Sequence, residues 1–325
     1  MATWMRRARL LALGLAVALG AAGCEPQPWT WSFVVIADPH ISNNAEHDAR
    51  LQDAIDWINA NREAEKVELV VIVGDIAWGA GEVDRVRAML DELTVPWVPV
   101  MGDNEIHNGD EEQIVTDWLP TYDDLAATLD GWSMAPVPVW NPELETESWF
   151  VNFTFSHRDT RFLAADFASR VMDPILGEQA ELHDFAGGTM PWFTSTLAAT
   201  PSVRDESIVM LTHHPMHQQA FGAFSAAELD AIKAQTSPRA DEVFANFAGH
   251  YHVNLEVEPP GAGYRVFVTD ATWDDANQVR VVRVLEEDSI QSYDTEVVDV
   301  AAGASARGLA PWRTAGGSFE DWLLE

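Results

Sequence analysis

Five short apolar runs in this sequence each end in residues that can hold a metal or move a proton. FVVIA (33–37) runs into Asp38-Pro39-His40, ELVVIV (68–73) into Gly74-Asp75, and WVPVM (97–101) into Gly102-Asp103-Asn104-Glu105. SIVMLT (207–212) is followed by His213-His214-Pro215-Met216-His217, and VFANFA (243–248) by Gly249-His250-Tyr251-His252. Continuous β-rich runs of this length read as strands buried on both faces. Between the first three lie helical spacings, Leu51, Ile55 and Ile58 in a helix ending near Asn61, then Val83, Val86, Leu90 and Leu93. This β-α-β-α-β order predicts an α/β fold with parallel strands. Ligands of such sheets sit outside the carboxyl ends of the strands. The five endings would therefore meet at one edge.

Each ending alone has an ordinary explanation. An Asp after a strand commonly caps a helix or shapes a turn. His213 and His217 have the spacing of a helical metal pair, but Pro215 between them argues against that helix. His250 and His252 are more informative, because residues two apart in extended chain point to one side. Imidazole and carboxylate together suit zinc, iron or manganese.

In this order, D-P-H (38–40), G-D (74–75), G-D-N-E (102–105), H-H-P (213–215) and G-H-Y-H (249–252), the sequence resembles the calcineurin-like metallophosphoesterases, over roughly residues 32 to 285. The resemblance implies a four-layer α/β/β/α sandwich with two mixed β-sheets and a pair of divalent or trivalent metal ions, Mn, Fe or Zn. It implies that Asp38, His40, Asp75 and His252 hold the first metal. Asp75 would bridge to a second, held also by Asp103, His213 and His250. The family's H-x-P spacing selects His213 and leaves His214 as a supporting or packing residue. The implied activity is that of a phosphoric ester hydrolase: two cations make hydroxide from a bridging water and clamp the phosphoryl oxygens.

The chain departs from that pattern at two adjacent positions. Asp103 stands where the family has Asn, adding a charge beside the second metal. Asn104 stands where it has a His near the leaving group. An amide donates a hydrogen bond but does not transfer a proton near neutral pH, and general acid catalysis is typically worth about 10²–10⁴-fold. A good leaving group, or His107 reaching back, could make up the loss, so Asn104 and His107 are the candidate catalytic residues. The rival reading within the same fold is a metal-bearing binding or scaffold lipoprotein, catalytically weakened. Retention of the other ligands favours the enzyme. A zinc peptidase lacks its own motif here.

The rest of the chain bounds the setting. Arg6, Arg7 and Arg9 precede an apolar stretch, Leu10 to Ala22, and then Gly23-Cys24. That is too short to span a bilayer and fits a signal peptide, 1–23. AAGC resembles the bacterial lipobox, with Ala21 where leucine is usual, so Cys24 is the expected lipidation site. Residues 24–31 would then be a tether and the protein an envelope lipoprotein facing the periplasm or exterior. Cys24 is the only cysteine, which excludes an internal disulfide. With 52 acidic against 19 basic side chains and a net charge of −33, binding to nucleic acid is not expected, and the expected substrate is a small phosphoester. The hydrolase domain is expected over 32–300. Within it, 120–147, with four prolines, reads as an irregular insertion, whose Trp132 and Trp140 are candidates for shaping the substrate site. Residues 301–325 read as a tail.

Overall fold

Alternation along the strands decides which layers meet. The computed structural model describes residues 29–108, 110–175, 177–200, 207–218, 224–273, 277–287 and 290–300. The expected signal peptide, Cys24 and the expected tail after residue 300 lie outside them. One sheet runs β14 (Ile290–Asp299), β13 (Gln278–Glu287), β1 (Trp31–Ile36), β2 (Val67–Val73), β3 (Trp97–Val100). β1, β2 and β3 are parallel, and β13 and β14 are antiparallel additions. The second sheet runs β11 (Leu255–Val257), β12 (Arg265–Val268), β10 (Val243–Ala248), β9 (Ser207–Leu211), β8 (Thr160–Ala164), β7 (Phe153–His157), β4 (Asp130–Met134). β8, β9, β10 and β12 are parallel, and the two ends are antiparallel. Both sheets are mixed, as expected.

The sheets face each other across a dry core. Phe33 of β1 packs edge-on against Phe162 and Phe247 of the other sheet, with ring centroids 5.4 Å apart in each case. On β8 and β9 the alternate residues divide cleanly. Phe162, Ala164, Val209 and Leu211 join this inter-sheet core. Leu163, Ile208 and Met210 turn outward to a second core. That outer core is completed by Phe193 and Leu197 of helix α5 (Thr189–Ala199) and by Leu229 and Ile232 of α6 (Ala226–Thr236). On the opposite side α1 (Ala45–Glu65) lies across β1, β2 and β13, with α2 (Val83–Leu90) beside it. The result is helices, sheet, sheet, helices.

Two expectations need correction. The first helix does not end near Asn61. Arg62 to Glu65 are good helix formers, and α1 continues through them to stop at Lys66, whose left-handed φ of 51° breaks the helix. Nor is 120–147 irregular. Helix α4 (Glu111–Thr128), which follows the short α3 (Asp103–His107), passes straight through Pro120. The missing N–H and the ring clash cost about 3 kcal/mol, and burial of Ile114, Trp118, Tyr122 and Leu125 along one face outweighs them. Beyond it β4 extends the second sheet, and β5 (Val139–Asn141) pairs with β6 (Thr146–Ser148). Trp132 stacks in the core against Phe153, whereas Trp140 is exposed; neither lines the cleft described below.

Candidate metal centre

Asp38 follows β1, Asp75 follows β2, Asp103 follows β3, and His213 and His250 follow β9 and β10. These are carboxyl ends of strands in two facing sheets, and their side chains converge. Two main-chain bonds lock the first two loops together, His40 N–H to Asp75 C=O and Ile41 N–H to Ile76 C=O, both 2.9 Å. The loops are held in an unusual conformation. Asp38, His40, Asp75, His250 and His252 all have φ between 46° and 70°, a region that non-glycine residues rarely enter. Such conformations cost free energy and cluster where function demands them.

Around these loops the packing leaves no room. A Cβ on Gly102 would lie 2.2 Å from the Asp75 main-chain nitrogen and from its Oδ1. Gly74 has φ +93°, and a Cβ there would meet the His213 ring. Glu105 ties the assembly from behind. Its buried carboxylate accepts the N–H groups of Asp75 (3.1 Å), Ile76 (2.7 Å), Ala77 (2.8 Å) and Gly102 (2.7 Å). Burial is the main cause that pushes its pKa up to about 7.

All seven ligand candidates come together. His40 Nε2 is 3.3 Å from His252 Nε2 and 3.5 Å from Asp75 Oδ2. His252 Nε2 is 3.6 Å from Asp38 Oδ1. His213 donates Nδ1–H to the Val73 carbonyl at 3.0 Å. That bond fixes the tautomer and frees Nε2, which lies 3.4 Å from both Asp75 Oδ1 and Asp103 Oδ2. His250 Nδ1 is 2.8 Å from Asp103 Oδ2, and its N–H donates to Asp38 at 3.0 Å. Among the described residues, the ion-pair partners of Asp38, Asp75 and Asp103 are histidines only. Burial works against charge on His213 but is outweighed by Asp75 and Asp103, so its pKa stands well above the ordinary imidazole value. Burial and the neighbouring Asp103 push Asp75 well above the carboxylate range. Asp103 is held well below it, because His213 and His250 overcome the burial cost.

These residues fit a metal centre. Asp103 Oδ1 and His213 Nε2 are buried without a hydrogen-bond partner, and Asp103 Oδ2 faces imidazoles alone, a state that costs free energy unless a ligand fills it. Three sets, Asp38–His40–His252, Asp38–Asp75–His213 and Asp103–His214–His250, each bring their ligand atoms within 4.8 Å of one another.

The two candidate catalytic residues behave differently. The Asn104 carboxamide nitrogen lies 2.9 Å from His40 Nδ1 and 2.7 Å from Asp75 Oδ2, so it orients two ligand candidates as well as facing the cleft. His107 is not brought to the cleft wall. It sits half-buried at the far end of α3; burial lowers its pKa against the pull of Asp103, and Arg170 and the Ser169 main chain also act on it. Sequence reading assigned no role to Glu105, although the fourth letter of G-D-N-E was its signal. It also missed the cleft of about 890 Å³ beside the cluster, walled by Trp78, Trp273, His47 and Glu178. Trp78 is 47% exposed there. No local pattern marks these four residues, which come from the first turn of α1 and three separate loops.

Two facing mixed sheets with a buried Asp/His cluster at their carboxyl edges define a metal-dependent hydrolase type of architecture. The calcineurin-like phosphoesterase family pattern matches residues 32–254. The chain belongs to that family. Among solved structures it is similar to a dimetal phosphatase from Danio rerio, with a TM-score of 0.55 and 15% identity over 84% of this chain and 100% of that one. It is also similar to a phosphopantetheinyl hydrolase from Mycobacterium tuberculosis, with a TM-score of 0.44 and 12% identity over 74% of this chain and 89% of that one. No curated protein sequence was found to match it.

Proposed function

We propose that this protein hydrolyses small phosphoesters at a two-metal centre, with Asp38, His40, Asp75 and His252 holding one ion and Asp75, Asp103, His213 and His250 the other. The observation that carries this reading is the set of buried, unpartnered donor atoms on Asp103 and His213. Ions held there, Mn, Fe or Zn, would supply Lewis acidity that activates water near neutral pH and offsets the charge of the phosphoryl oxygens.

What the chain does follows from its own groups. Asp75 lies between the His40 and His213 sides of the cluster and would bridge them. Glu105 holds the Gly74–Ala77 turn, and Asn104 holds Asp75 and His40 against each other. Near neutral pH Asn104 donates hydrogen bonds and no proton, so esters whose leaving group needs no protonation are the favoured substrates. The indole faces of Trp78 and Trp273 offer a flat apolar wall for that leaving group. Its acidic surface disfavours long polyanions. Cys24, outside the described residues, would carry a lipid anchor that holds the domain at the bacterial envelope.

The test is turnover of p-nitrophenyl phosphate and its bis-ester by wild type and Asp75→Asn. Losing a bridging ligand should lower turnover beyond the roughly 10–100-fold typical of losing an outer partner of a ligand. Equal turnover in the two proteins would overturn the reading. Preference between the two esters sorts mono- from diesterase.

A further inference from the structure

Resting on the two-metal reading, we propose that His214 is itself a direct ligand of the second metal, giving that position three imidazoles and the two carboxylates of Asp75 and Asp103. Spacing in the H-H-P segment singles out His213, yet both imidazoles turn to the same carboxylate. His214 Nε2 lies 3.3 Å from Asp103 Oδ2, against 3.4 Å for His213 Nε2 and 2.8 Å for His250 Nδ1. The His214 ring stands 4.2 Å from the His250 ring and 5.2 Å from the His213 ring, centroid to centroid. Three imidazoles thus surround one aspartate oxygen.

A packing role does not explain this geometry. His214 is 1% exposed. Both ring nitrogens are buried and neither makes a well-formed hydrogen bond; Nδ1 has no partner among the described residues, and Nε2 faces the Asp103 carboxylate at 3.3 Å. Burying an imidazole with so little hydrogen bonding is costly, and an apolar ring of similar size would fill the space without that cost. His183 shows the alternative that the same fold uses: equally buried, it bonds the Ala168 carbonyl through Nε2 at 2.9 Å. His214 is also rigidly presented. The Thr212 hydroxyl donates to the His214 carbonyl at 2.7 Å, and Asn246 binds both the Thr212 hydroxyl (2.8 Å) and the Met216 N–H (2.9 Å). The segment carrying the ring is fixed from both sides.

The departure at 103 fits the same picture. A carboxylate offers more lone pairs than an amide oxygen and a full charge, so Asp103 can serve a metal that a third imidazole approaches. Imidazole-rich donor sets suit zinc, iron, copper and nickel, whereas carboxylate, carbonyl and water suit magnesium and manganese. The second position should therefore prefer zinc or iron to manganese, more strongly than the first.

The experiment is a zinc titration of the full chain against a chromophoric chelator, for wild type, His214→Gly and His214→Phe. Wild type should show two sites. Both variants should lose more than about 100-fold in affinity at one site only, beyond the roughly 10–100-fold cost of removing an outer partner. Free imidazole at millimolar levels should restore the lost site in His214→Gly and not in His214→Phe, which fills the space and guards against misfolding as the cause. Unchanged affinity in a folded His214→Phe, or loss in His214→Gly that imidazole does not restore, overturns the inference and leaves the two-metal reading standing. A wild type that binds no zinc, manganese or iron overturns both.

Discussion

The chain buries carboxylates in two places, and it treats them in opposite ways. Behind the cleft, Asp166 and Glu111 surround Arg170. All five guanidinium N–H groups are used: Nε to Glu111, Nη1 to Asp166 and the Ala168 carbonyl, Nη2 to Asp166 and the Trp149 carbonyl, at 2.7 to 3.2 Å. The guanidinium also lies 4.2 Å from the Phe150 ring centroid. At the strand ends, Asp38, Asp75 and Asp103 are as deeply buried, but imidazoles are their only ion-pair partners among the described residues and several donor atoms are unpartnered. A buried charge with every bond made is architecture. One with bonds left open, beside neighbours whose backbone is held at positive φ, is a binding site kept at a cost in stability.

The sharpest way to break this contrast is to remove a partner from the closed network. Arg170→Met should cost about 3–5 kcal/mol, because Asp166 is left buried and uncompensated, read as a lower urea midpoint in the presence of chelator. Asp103→Asn in the same metal-free protein should cost less than Arg170→Met, because the lost attraction to His213 and His250 is partly offset by relief of the repulsion of Asp75. Comparable destabilisation in the two variants would erase the distinction.

Next in size is the response to metal. Saturation at 100 times the dissociation constant should stabilise wild type by about 2.7 kcal/mol per site, Arg170→Met by the same increment, and Asp103→Asn by less. Melting curves with and without EDTA measure it.

The pH dependence should have opposite signs at Asp166 and at Asp75. Burial would raise the pKa of Asp166, but Arg170 outweighs it and holds the carboxyl below the usual range. Its stabilisation is full above its unfolded value of 3.8 and is lost as pH falls through its lower folded value. Asp75 is raised instead, so the proton it retains stabilises the metal-free protein at low pH. That contribution is lost as pH rises from 3.8 through its folded value. Urea midpoints against pH in EDTA should show Asp166→Asn losing the acid-side fall, and Asp75→Asn losing the fall toward higher pH.

The smallest effect belongs to an exposed pair, which shows that paired geometry matters little without burial. Arg158 makes two bonds to Glu68 at 2.7 and 2.5 Å, yet both side chains are about a third exposed. Arg158→Ala should change stability by no more than about 1 kcal/mol, less in high salt.

How much of this was legible in the sequence follows the same division. The strands carrying Asp38, Asp75, Asp103, His213 and His250 were readable because a strand buried on both faces has a continuous apolar signature, and position after a strand is position at the sheet edge. Leu163 and Phe162 both read as apolar, but only the second sheet's place between two layers decides which faces inward. Pro120 misled, because local propensity argues against a helix that Trp118 and Tyr122 stabilise through tertiary contacts. The short strands β4, β5 and β6 carry Asp, Ser, Glu and Thr, with little apolar periodicity to detect. Within the site, ligand identities were visible in the motif letters. The service of Glu105 to four backbone N–H groups was not, and neither was the direction in which His107 and His214 point, since both depend on loops meeting in three dimensions.

One measurement bears most directly on the central proposal: metal content per chain of protein reconstituted with manganese, zinc and iron, with p-nitrophenyl phosphate turnover followed before and after EDTA. Two-metal chemistry requires about two ions per chain, turnover that EDTA abolishes, and recovery when metal is returned. A chain that takes up less than one ion, or that turns over at the same rate in EDTA, would show that the convergence of Asp38, Asp75, Asp103 and the four histidines is not a hydrolytic metal centre.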